Sequence, residues 1–105
     1  MTEKVIYKYI LHLPNLDRND TLSIDMPRGA KSLHVAEQAG QLCLWALVNP
    51  AEKAAVPVRL AVHGTGHLFN HSGDHLGTAL LQGGRLVFHV FLLKGAATRV
   101  DRGQP

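Results

Sequence analysis

Leu33-His34-Val35-Ala36-Glu37-Gln38-Ala39-Gly40-Gln41-Leu42-Cys43-Leu44-Trp45-Ala46-Leu47-Val48 decides the fold. Apolar side chains recur here with period two rather than at helical spacing, which predicts two strands, 33–38 and 41–48. Ala39-Gly40 between them suits a two-residue hairpin connection. The second strand is apolar on both faces. Leu42, Leu44, Ala46 and Val48 share one, and Cys43, Trp45 and Leu47 the other. Such a strand is central, or covered on both sides by sheet, tail or partner.

The same period extends outward. Val5, Tyr7, Tyr9 and Leu11 alternate with Ile6, Lys8, Ile10 and His12, and Leu22, Ile24 and Met26 alternate with Thr21, Ser23 and Asp25. Pro27-Arg28-Gly29 ends that second strand in a turn: the proline presets φ and the glycine permits positive φ. Val56, Val58, Leu60 and Val62 form a further strand, in which Pro57 points to a strand start or an edge. A segment rich in glycine and histidine, 64–75, reads as loop. Strands at 76–82 and 85–92 then flank Gly83-Gly84, the clearest two-residue hairpin signal in the chain. About seven short, mostly antiparallel strands predict an all-β domain, a small β-sandwich or barrel. Residues 1–93 are expected to form it, with 94–105 as a flexible polar C-terminal tail.

One domain is what 105 residues support, and a chain of this size buries roughly two-thirds of its unfolded surface without needing a metal or disulfide. Eleven Lys and Arg against eight Asp and Glu give a formal charge of +3. The basic residues are scattered, so a nucleic-acid interface is not expected. The lone cysteine, Cys43, lies in an apolar run and reads as a small buried hydrophobe. No apolar run approaches the ~20 residues of a membrane helix, and the N-terminus lacks signal-peptide form. A cytoplasmic protein in a reducing compartment is the expectation.

Four stretches in order, Met26-Pro27 with Gly29-Ala30, Cys43–Val48, Gly64-Thr65-Gly66-His67 and Val87-Phe88-His89-Val90-Phe91, resemble a family of small phage and prophage proteins described only as a domain of unknown function. The resemblance spans roughly residues 5 to 92. It implies a bacteriophage origin, a compact all-β fold and expression in the host bacterial cytosol, and it supplies no catalytic residues. The histidine-rich loop after His67 and the long tail depart from the family pattern.

Gly64-Thr65-Gly66-His67 follows a strand directly. Glycines there can aim successive backbone N–H groups at an anion, in the nest geometry that binds phosphate; the bland alternative is a tight structural turn. It is neither a P-loop nor a dinucleotide fingerprint. Arg28, Lys31, Arg59 and Arg85 are the candidate cations beside it. Trp45 reads as a core anchor or oligomer contact, and otherwise as a stacking platform. His89 is a hydrogen-bonded core residue, or a ligand contact if its face opens on a pocket. His63, His67, His71 and His75 recur every four residues, but the intervening glycines break any helix and no thiolate pair accompanies them. They read as polar loop histidines; no metal and no cofactor is expected.

No serine elbow, Cys–His pair or carboxylate pair is present, so no catalytic residue and no enzyme is expected. The leading expectation is a phage-encoded, non-enzymatic module that captures a small anionic, nucleotide-type ligand, such as a host antiviral-defence signal, and self-associates. Its ligand-binding residues would be Gly64, Thr65, Gly66, His67, Arg59, Arg85, Arg28, Lys31, Trp45 and His89. The alternative is a protein–protein interaction or accessory protein, a host-protein inhibitor or minor virion component, with an exposed apolar patch around Trp45 or Phe91.

Overall fold

The computed structural model describes residues 3–93, so the expected tail lies outside the described residues. Seven strands form: β1 (Val5–Ile10), β2 (Thr21–Pro27), β3 (Lys31–Gln38), β4 (Gln41–Val48), β5 (Ala55–Gly64), β6 (Gly73–Leu81) and β7 (Leu86–Leu93). They make two antiparallel sheets, ordered β1-β4-β3 and β2-β5-β7-β6. The two sheets remain separate, so the sandwich expectation holds and the barrel one does not.

Strand β4 sits centrally in its sheet, as its two apolar faces demand. Leu42, Leu44, Ala46 and Val48 are buried against Leu60, Val62, Val90, Leu22 and Met26 of the opposite sheet. Each large apolar side chain taken from water contributes about 1.5–3 kcal/mol. On the outer face Cys43 is buried too. Its strand neighbours are Ile10 and Ala36, and Lys8 reaches across β4 to donate to Gln38 Oε1 at 2.7 Å.

Two turns follow the sequence closely. Ala39 (φ 52°) and Gly40 (φ 81°) are both left-handed, as a two-residue type I′ hairpin requires, and Gln38 pairs with Gln41. Pro57 lies where β5 has β2 alone as a neighbour, because β7 pairs only with Leu60–Gly64; a missing N–H is tolerated there.

Two expectations need correction. The Gly83-Gly84 connection is longer than two residues: Leu81 pairs with Leu86, and Gln82, Gly83 and Gly84 all take positive φ. The segment 64–75 is not all loop. β5 runs on to Gly64 and β6 starts at Gly73, because β7 supplies ladder partners as far as Phe88 on one side and Leu93 on the other.

The sheets approach most closely where β3 meets β6. A Cβ on Gly77 would stand 2.8 Å from Val35 Cβ, closer than side-chain carbons pack, so glycine sets this approach. Between His75 and Gly77 the register of β6 against β7 shifts by one residue. That bulge re-aims the strand, with consequences for the site below.

Candidate functional site

The outer face of the β2-β5-β7-β6 sheet carries His63, His75 and His89. His63 on β5 lies directly opposite His89 on β7, and Thr78 on β6 lies opposite His89 on the other side. Residues three apart on a regular strand face opposite ways, but the bulge brings His75 onto the same face as Thr78. The outcome is a continuous chain of hydrogen bonds from the turn after β5 across β7 to β6. Thr65 Oγ1 meets His89 Nε2 at 2.8 Å. His89 Nδ1 meets Thr78 Oγ1 at 2.9 Å, and Thr78 Oγ1 meets His75 Nε2 at 2.9 Å.

The β5–β6 connection folds back over this face. Phe69 packs against Phe91 and His63, with ring centroids 4.6 and 4.9 Å away. His71 Nδ1 lies 2.9 Å from His63 Nε2. His63 is only 4% exposed, and its Nδ1 is buried without a hydrogen-bond partner. Burial, followed by the adjacent His71, pushes the His63 pKa below the ordinary histidine value.

Gly64–His67 forms a hydrogen-bonded turn in which His67 N–H donates to Gly64 O at 3.1 Å. Gly66, at φ 93°, occupies the third position, where a type II turn requires positive φ. Thr65 N–H donates to Val87 O at 3.2 Å. The anion nest is therefore not formed: two of its amides are spent on backbone carbonyls, and Gly64 does not take positive φ. What the turn offers instead is side chains, the Thr65 hydroxyl and the His67 ring.

Two cavities open on either side of this turn. The first, of about 220 Å³, is lined by His63, Thr65, His67, Phe69, His89 and Phe91. The second, of about 230 Å³, is lined by Gly64, Thr65, His67, Arg85, Leu86 and Phe88, among others. Thr65 and His67 border both. One compartment is aromatic and imidazole-lined, the other carries a guanidinium.

Of the residues singled out in the sequence, Gly64, Thr65, Gly66, His67, His89 and Arg85 come together here. The other four do not. Arg59 lies on the same outer face but donates from Nη2 to Thr21 Oγ1 at 2.8 Å; Thr21 in turn donates to Asp17 Oδ2 at 2.7 Å and, with its own N–H, holds the Asp17 carboxyl below its usual pKa. Arg28 occupies the β2–β3 turn. Lys31 borders a separate cavity of about 360 Å³ lined by Met26, Val58, Leu76 and Leu92. Trp45 lies on the outer face of the other sheet, 6.1 Å from the His34 ring.

Sequence reading missed Thr78, His75 and Phe69 as site residues, and although the alternation of Val56–Val62 puts His63 on that strand, its burial was not foreseen. The four-residue histidine spacing has a geometric outcome after all: the connection returns His71 to His63. Among the described residues, no group of three or more His, Cys, Asp or Glu is placed to hold a metal ion.

A family model described as Domain of unknown function (DUF7352) matches residues 2–100. The chain belongs to the DUF7352 family. No curated protein and no solved structure matches it. The DUF7352 match covers all seven strands and the whole of the two-compartment site. No helix among the described residues is long and apolar enough to cross a membrane.

Proposed function

We propose that this DUF7352 protein captures a small anionic ligand of nucleotide type, a planar ring joined to an anionic group, and releases it unchanged. One observation carries the reading: two cavities share Thr65 and His67, one walled by Phe69, Phe91 and His89 and the other holding Arg85. Aromatic and imidazole faces suit a planar ring, and a guanidinium suits a phosphate or carboxylate. A ligand with both parts would straddle the Gly64–His67 turn. If the phage origin and host-cytosol expression that the resemblance implies hold, a nucleotide-type defence signal is the ligand proposed for such capture.

The test is a thermal-shift screen of untagged protein against AMP, ADP-ribose and cyclic di-AMP. A ligand at 100 times its Kd adds about 2.7 kcal/mol, a shift of several degrees for a domain of this size. A shift with the ligand recovered intact supports capture; loss of ligand points to an enzyme, and a flat panel sinks the reading.

A second reading has its own observation. The outer face of the β1-β4-β3 sheet presents Ile6 (58% exposed) and Ile10 (43% exposed) beside the half-buried Trp45 and Leu47. Exposed apolar surface marks protein contacts; here Lys8 crosses it between Ile6 and Ile10, and among the described residues β1 is an edge of its sheet. On this reading the protein docks on itself or on another protein through that face. Sedimentation of wild-type protein and Ile6→Lys tests it: an oligomer dissolved by the substitution supports self-association, and a wild-type monomer refutes it.

A further inference from the structure

We infer that Thr78 and His75, which do not border either cavity, are positioning residues that set the polarity of Thr65 toward the ligand. The inference rests on capture at the two-compartment site and names how its anion is recognised.

The argument is proton accounting along Thr65–His89–Thr78–His75. Three hydrogen bonds join four groups. A neutral imidazole offers one donor and one acceptor, and a hydroxyl one proton. Suppose Thr65 gives its proton to His89 Nε2. His89 then donates from Nδ1 to Thr78, and Thr65 shows only lone pairs to the cavities. For Thr65 to turn its own proton outward, His89 must carry hydrogen on Nε2 and donate to Thr65. Its Nδ1 then accepts from Thr78. Thr78, with its proton spent, accepts from His75 Nε2–H. The donor form of Thr65 thus requires the whole chain to point one way, with both rings as Nε2–H tautomers.

An anion selects that form, because a lone pair facing an oxyanion repels it and an O–H donor binds it. Thr78 is the coupling group, since only a hydroxyl can accept from one imidazole and donate to the other at the same atom. The bulge in β6 that breaks the register between His75 and Gly77 is what makes this possible. Without it His75 would face the core side.

The experiment compares wild-type protein with Thr78→Val and Thr78→Ser, titrated with AMP, ADP-ribose and cyclic di-AMP at pH 8, where an ordinary imidazole is neutral. Valine keeps the shape and strand preference of threonine on this exposed face, and serine keeps the hydroxyl. Expected is a loss of about tenfold in affinity for Thr78→Val, near wild-type binding for Thr78→Ser, and unchanged melting temperatures. Long-range proton–nitrogen spectra of the histidine rings supply a readout that mere structural support would not move. In the liganded wild-type protein, His89 and His75 are both Nε2–H tautomers; in Thr78→Val this pairing is lost. Equal affinity in all three proteins, or a bound His89 protonated on Nδ1, overturns the inference and leaves capture standing. Absence of binding by all three ligands overturns capture and the inference together.

Discussion

His63 Nε2 and His71 Nδ1 stand 2.9 Å apart, joining the end of β5 to the returning connection that carries Phe69. The pair ties a segment of mostly exposed residues onto the sheet, and it does so with a ring that is itself buried. One imidazole must donate and the other accept, so the contact is lost when both rings are protonated, and burial favours the neutral form of His63.

Acid should therefore weaken the fold through His63. Its pKa is lowered in the folded protein, first by burial and then by His71, so the unfolded chain binds this proton more readily. The contribution is complete above the ordinary value of about 6.5 and is lost as pH falls below it. Melting temperatures measured from pH 8 to pH 5 are expected to decline across that window. In His63→Phe, which pairs an aromatic ring with Phe69 and Phe91, the decline should be smaller. An equal decline would assign the effect to other groups.

Leu44 is fully buried at the centre of the inner face of β4. Leu44→Ala removes core volume between the two sheets and should cost about 2–5 kcal/mol in urea unfolding. Ile6→Ala, on an exposed face, should cost under about 1 kcal/mol. Similar losses at both sites would mean that β1 is covered in solution.

Gly77 and Val35 hold β6 against β3. Gly77→Ala puts a Cβ 2.8 Å from Val35 Cβ and should destabilise by about 1–3 kcal/mol. Val35→Gly removes the clashing Cβ itself, so the double variant should lose less than the two single losses added. A double-mutant cycle with no coupling would contradict the close approach.

Arg85 borders the second cavity, whereas Arg28 lies in the β2–β3 turn at a different place on the fold. Both residues are exposed, so removing either charge should leave the melting temperature within a degree or so. Arg85→Gln is expected to weaken ligand binding about tenfold, a charge-assisted contact's worth, and Arg28→Gln not at all. Equal effects would mean that long-range charge, rather than the second compartment, attracts the anion.

Much of the fold was legible in the chain because period two and turn chemistry are local. Val35, Leu44, Leu60 and Val90 could be assigned to strands from their immediate neighbours, and Ala39-Gly40 could be read as a turn for the same reason. The Gly83-Gly84 connection was misjudged because Gln82, a residue with no special liking for positive φ, joins the turn. The site was half legible. The Gly64–His67 turn and His89 stood out by residue type, and Arg85 by charge. Arg28, Lys31 and Trp45 stood out equally and lie elsewhere, since residue type alone carries no distance.

What the sequence determined by itself was the alternation that makes strands, the turns that end them, and a core large enough to join two sheets. Which strands lie side by side was decided only by tertiary structure, where burial of both sheets' inner faces outweighs any local preference. That choice puts β7 between β5 and β6, so that His89 meets Thr65 on one side and Thr78 on the other. The bulge between His75 and Gly77 belongs to the same level. It answers the close packing of β6 on β3, which no local pattern of residues encodes, and it turns His75 from the inner side of a regular strand to the face that carries His63 and His89.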